Sequence, residues 1–180
     1  MAIRKRGYRV EPRSINDIRS LANQVRDLLQ ISGGINMAKL IEFVLPTAMP
    51  DFDFDVQEDK VMHGDHARTY PDSNLIVISA STYDGAVSGV GRDNFTLAHE
   101  FGHLLLHRGI EPSFARLRAA NEPVFVDSEW QADTFAAEFL MPYSELAGRP
   151  NSLTSVCKTY KVSTSAAALR LRKINAPVVL

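Results

Sequence analysis

The chain has 180 residues, 45% hydrophobic and 23% charged, a balance that suits one globular domain with a sizeable core. Its 20 basic and 21 acidic residues leave a net charge of −1, so no global field draws it to nucleic acid or to an anionic membrane. One cysteine, Cys157, excludes an intramolecular disulfide and fits a reducing compartment.

Residues 1–13 carry Arg4, Lys5, Arg6, Arg9 and Arg13 against the single acid Glu11, and read as a basic, solvated, flexible arm before a single domain over 14–180. The start has charge but no apolar h-region, and no apolar run approaches the length of a membrane span, so the expected location is the cytoplasm. Ser14 opens a first helix, with Asp17 as its capping-box partner. Ile15, Ile18, Leu21, Ala22, Val25, Leu28 and Leu29 make its buried stripe, and Ser32-Gly33-Gly34 ends it. A second short helix starts at the cap Asn36, buries Leu40, Ile41, Val44 and Leu45, and is stopped by Pro46 and Pro50.

Phe52 to Val56 alternates apolar and acidic residues and reads as a strand with one wet face. The acids around it lack the glycine and terminal glutamate of an EF-hand. A second strand falls within 61–70, around Val61-Met62 or over Ala67–Tyr70. After the turn signal Pro71-Asp72-Ser73-Asn74, Leu75–Ser79 is the clearest strand of the chain. The expected sheet is small and mostly antiparallel. His63 and His66 flank Gly64-Asp65 and read as surface histidines. Tyr83–Val90 is a short helix or a loop.

The next stretch, Phe95-Thr-Leu-Ala-His99-Glu100-Phe-Gly-His103-Leu-Leu-Leu-His107, contains the HExxH pattern. Phe95, Leu97, Ala98, Phe101, Leu104 and Leu105 surround it at helical spacing, with Asp93 and Asn94 as plausible caps. On a helix His99 and His103 share one face and can present two imidazoles to one ion. Glu100, one position round, can reach a water held there and act as general base. Gly102 leaves room beside the site. His107 stands roughly 12 Å along the axis from His99, too far to be a third ligand on a continuous helix. A substrate-binding role and a structural role both remain open for it.

Catalytic zinc takes three protein ligands. The best third ligand is Glu129, in a helix capped by Ser128 or Asp127 and buried through Ala132, Phe135, Ala136, Phe139 and Leu140. Asp133, four residues on, suits a carboxylate that accepts a ligand histidine's N–H and fixes its tautomer. Residues 108–127 read as a long loop beside the cleft. Residues 143–180 form a C-terminal helical appendage, with one stripe of Leu153, Val156, Cys157 and Tyr160. A second stripe runs from Ala166 to Ile174, with Arg170, Arg172 and Lys173 outward. Helix, turn and basic helix suggest DNA contact, but no base-reading Asn or Gln stands on the second helix, and packing on the metal core is the better reading.

Taken together and in order, the runs at 92–107 and 129–142 resemble the ImmA/IrrE family of bacterial and phage metallopeptidases. The Asn74-to-Gly85 lead-in and the Lys161-to-Ile174 ending are similar to the same family. The resemblance implies a zincin-like α+β fold, its sheet packed on the active-site helix with further helices flanking. It implies a metal on His99, His103 and Glu129, Glu100 as catalytic base and Asp133 behind a ligand. Zinc is the default ion for such a set, with manganese compatible. Family members act near helix-turn-helix repressors of phage, mobile elements or stress regulons, so the expected partner is such a regulator, encoded nearby. Some cleave the repressor. Others resemble toxin-side partners of toxin–antitoxin pairs, which makes binding without cleavage the alternative. The departures are Phe101 where leucine is common and Asn94 where arginine is common. Oxyanion donors are not evident, and His107, Tyr143 and an arginine of 108–118 are the candidates.

Overall fold

The computed structural model describes residues 7–109 and 122–179. Helix α1 spans Ile15–Leu28 and opens with the expected reciprocal cap. The Asp17 amide donates to Ser14 Oγ at 3.1 Å, and the Ser14 amide donates to the Asp17 carboxylate at 2.9 Å. Ile18 and Ala22 are fully buried, but Leu28, expected in the stripe, is 79% exposed. Arg26 is buried in its place. Its guanidinium donates to the carbonyl of Phe139, an acceptor that the end of a helix leaves without a partner, and to that of Gly33 in the connection after α1.

Asn36 caps α2 (Met37–Lys39) through its side chain, as expected. The chain then widens into a π turn over Leu40–Val44, where the Leu45 amide donates five residues back to Leu40, and resumes as α3 (Leu45–Ala48). Pro46 therefore does not stop the helix, because the first turn of α3 asks no N–H of it. Val44, expected to be buried, is partly exposed.

Strand β1 (Asp53–Gln57) is followed by α4 (Asp59–Met62), β2 (Ala67–Tyr70) and β3 (Leu75–Ser79). The three strands form one sheet in the order β1-β3-β2. β2 and β3 are antiparallel and β1 and β3 parallel, so the sheet is mixed rather than mostly antiparallel. The cause is local. Residues 59–62 are helical, so β1 cannot turn directly back into β2, and β3 becomes the shared centre. A 3₁₀ turn at Pro71–Ser73 and Asn74 at φ 49° close the β2–β3 hairpin.

Helices α5 (Ala80–Val87) and α6 (Gly91–Leu106) follow. α6 has no side-chain cap, since Asn94, expected there, lies inside the first turn and is buried. Its side chain accepts from the Met37 amide at 2.7 Å and donates to the carbonyls of Ile35 and Lys161, tying α6 to both flanks. α7 (Ser128–Leu140) is capped by Asp127. It packs on α6 through Phe101, Phe135 and Phe139, with ring centroids 5.4–5.8 Å apart. Gly102 makes this crossing possible, because a Cβ there would sit 3.1–3.2 Å from Phe135 and the Ala132 backbone.

α8 (Tyr143–Leu146), β4 (Asn151–Ser152), α9 (Leu153–Tyr160), α10 (Thr164–Lys173) and β5 (Val178–Val179) complete the described chain, β4 pairing parallel with β5. Tyr160, Val162, Ala167 and Leu171 belong to the same core as α1, α6 and α7. Arg170 does not point outward as expected. It is buried and holds Glu138 of α7 with two hydrogen bonds. Part of the expected N-terminal arm is also docked. The Gly7 and Tyr8 amides donate to the Asp127 carboxylate and Ser128 Oγ, and the Val10 amide donates to the Val126 carbonyl. Residues 1–6 and the loop arginines Arg116 and Arg118 lie outside the described residues. Among the described residues, no helix is long and apolar enough to cross a membrane.

Candidate metal centre

A cleft of about 780 Å³ opens between β2 and the start of α7, with His99, Glu100, His103, His107 and Glu129 among its lining residues. α6 supplies the two histidines one turn apart, and their Nε2 atoms stand 3.0 Å from each other. α7 crosses α6 closely enough to bring in Glu129. One carboxylate oxygen is 3.6 Å from His99 Nε2 and the other 3.4 Å from His103 Nε2. Among the described residues, this is the one group of His, Cys, Asp and Glu that converges closely enough to hold a metal ion.

The triangle can be tested against an ion. Tetrahedral coordination with bonds of about 2.0–2.1 Å separates neighbouring donors by about 3.3 Å. The two Nε2 atoms, 3.0 Å apart, and the two Glu129 oxygens, one 3.4 Å from His103 and the other 3.6 Å from His99, lie near that spacing, so the residues fit a small divalent cation.

Each histidine is held from behind. His99 Nδ1 lies 2.9 Å from Asp133, the partner position expected from the sequence. His103 Nδ1 lies 2.9 Å from Nδ1 of His107, whose Nε2 lies 3.3 Å from Gln131 Oε1. Burial presses the His99 pKa down. The hydrogen bonds to Asp133 and Glu129 and the charge of Glu100 outweigh it and raise the pKa to about 10. Hydrogen bonds from His103 and His99 hold the Glu129 carboxyl well below the usual carboxylate range, against the effect of burial. Burial and then the charge of His103 push His107 down to about 4, so it is neutral at physiological pH.

Glu100 lines the cleft beside the two histidines. Thr69 Oγ1 on β2 lies 2.6 Å from its carboxylate and 3.0 Å from its backbone carbonyl. No motif pointed to Thr69. It comes to Glu100 only because β2 is the strand that crosses α6. Gln131 and Tyr8 of the docked arm were missed for the same reason, since their neighbours are set by tertiary contacts.

Of the other expected residues, His107 lines the cleft but has both ring nitrogens engaged. Tyr143 does not join the site. It starts α8, and the Arg19 guanidinium sits 4.1 Å over its ring. Arg108 is exposed and does not line the cleft. His66 makes its contacts with Arg92 and Thr82.

A family model described as IrrE N-terminal-like domain, Peptidase_M78, matches residues 51–172, a span that contains both halves of the site. No curated protein matches the chain.

Proposed function

The chain belongs to the Peptidase_M78 family of IrrE N-terminal-like domains, and we propose that it is a metal-dependent endopeptidase. Its proposed target is a helix-turn-helix regulator encoded nearby, met in the cytoplasm. The observation that carries the reading is the convergence of His99, His103 and Glu129 on one point of the cleft, with Glu100 beside them. The choice of regulator rests on the family resemblance.

His99, His103 and Glu129 would hold the ion, zinc by preference and manganese compatibly. When bound, such an ion polarises a carbonyl and makes water a better nucleophile at neutral pH. Glu100 takes a proton from the attacking water as its oxygen bonds to the scissile carbon. It then delivers that proton to the departing nitrogen as the C–N bond breaks. Thr69 fixes the carboxylate that does this. Asp133 holds the His99 ring with its Nε2 toward the site.

The substrate would add as a strand. Strand β3, central and paired on both sides, offers no edge for it. Of the two edge strands, β1 and β2, it is β2 that borders the cleft, which Arg68, Thr69 and Tyr70 line. A peptide laid along β2 gains main-chain hydrogen bonds and passes beside Glu100.

The test is incubation of the neighbouring regulator with wild type and with Glu100→Ala, both checked for metal. Cleavage by wild type alone, at equal metal content, supports the reading. Tight binding without cleavage by either form moves the function to sequestration of the partner.

A further inference from the structure

We propose that Gln131 and His107 are positioning residues that set the tautomer of His103 and so aim its Nε2 lone pair at the metal. The inference rests on the metal-centre reading above. It starts from the amide of Gln131, which is fully buried. Gln131 Nε2 lies 2.7 Å from the Glu11 carbonyl and 2.8 Å from the Phe125 carbonyl. Carbonyls only accept, so both NH₂ hydrogens are committed and the amide cannot flip without losing two hydrogen bonds.

Gln131 Oε1 is then the atom that faces His107 Nε2, and that nitrogen must carry the proton. In a neutral imidazole the other nitrogen is a bare acceptor. His107 Nδ1 therefore accepts, and His103 Nδ1, 2.9 Å away, donates to it. With the proton on Nδ1 fixed, Nε2, the atom that faces His99 and Glu129, is the nitrogen that His103 can offer to an ion. Two backbone carbonyls thus decide, through two buried side chains, which nitrogen of a ligand histidine is available. One of those carbonyls, Glu11, belongs to the docked N-terminal arm. His99 reaches the same state through Asp133, so the two ligand histidines are oriented by different means.

The test combines zinc affinity, by competition with a chelator, with nitrogen-15 NMR of the imidazoles. His107→Phe keeps the ring volume but offers no acceptor. It is expected to weaken zinc binding by about 10–100-fold, the usual effect of losing such a partner. His107→Asn places a carbonyl oxygen near the position of Nδ1 and is expected to recover most of the affinity, which a purely packing role would not explain. In metal-free wild type the spectrum should show His107 protonated on Nε2, and Gln131→Met should let both tautomers appear. Zinc affinity of His107→Phe equal to wild type, or His107 protonated on Nδ1 in wild type, would overturn the proposal. Should His107→Phe not fold, the wild-type tautomer decides. Tautomers as assigned in a wild type that takes up no zinc would leave the relay standing and remove the metal-centre reading.

Discussion

Glu138 is 1% exposed, yet it is held as an anion. Burial pushes its pKa up, but the hydrogen bonds and charges of Arg170 and Arg19 outweigh that, and the folded value lies below the ordinary one. Removing the carboxylate leaves two guanidinium groups facing each other, one of them buried. Glu138→Ala is expected to cost about 3–5 kcal/mol, read from urea midpoints. The sign of the pH dependence follows from the lowered pKa. Its contribution is complete above the unfolded value, near 4.5, and is lost as pH falls through the folded value. Glu138→Gln should therefore differ most from wild type near neutrality and converge with it in acid. Thr69 offers a second test at this scale. Thr69→Val keeps its shape and loses the hydroxyl on Glu100. We expect kcat to fall by about tenfold, part of the 10²–10⁴ that a general base supplies, with KM and metal content unchanged. Thr69→Ser should retain activity.

Between elements, the contact that matters most is α6 on α7. Gly102 sits where the helices cross, and its added Cβ would press on Phe135 and Ala132. Gly102→Ala is expected to destabilise by about 1–3 kcal/mol despite the better helix propensity of alanine, as thermal unfolding would show. The sequence suggested that this glycine makes room at the metal, but the room is for α7. Other elements were readable because their signals are local. The Ser14–Asp17 box, the Asn36 cap, the β2–β3 turn and the periodicity of α6 and α7 each lie within a few residues. What was not readable depends on partners far along the chain. Arg26 and Arg170 look like surface cations until carbonyls and Glu138 of α7 come to meet them. Asn94 looks like a cap until Ile35 and Lys161 arrive. The parallel pairing of β1 depends on residues 59–62 choosing helix, which an alternating pattern before them does not reveal. Of the site, the HExxH spacing and the Glu129–Asp133 pair were legible, whereas Thr69 and Gln131 had no local signature.

One core runs from Ile18 of α1 to Ala176 beyond α10, and α6 and α7 lie within it. The three candidate ligands bridge those two helices, so an ion held there ties the centre of the molecule together. Binding to the folded chain alone must then stabilise the whole of it, by about 2.7 kcal/mol when free metal is a hundred times the dissociation constant. A chelator should accordingly lower the unfolding temperature of wild type, and should leave His103→Ala unmoved. The most direct measurement is metal stoichiometry after zinc loading and desalting, on wild type, His99→Ala, His103→Ala, Glu129→Ala and Glu100→Gln. One zinc per chain is expected in wild type and in Glu100→Gln, and almost none in the three ligand variants. A wild type that holds no metal, or full occupancy surviving the loss of Glu129, would contradict the site.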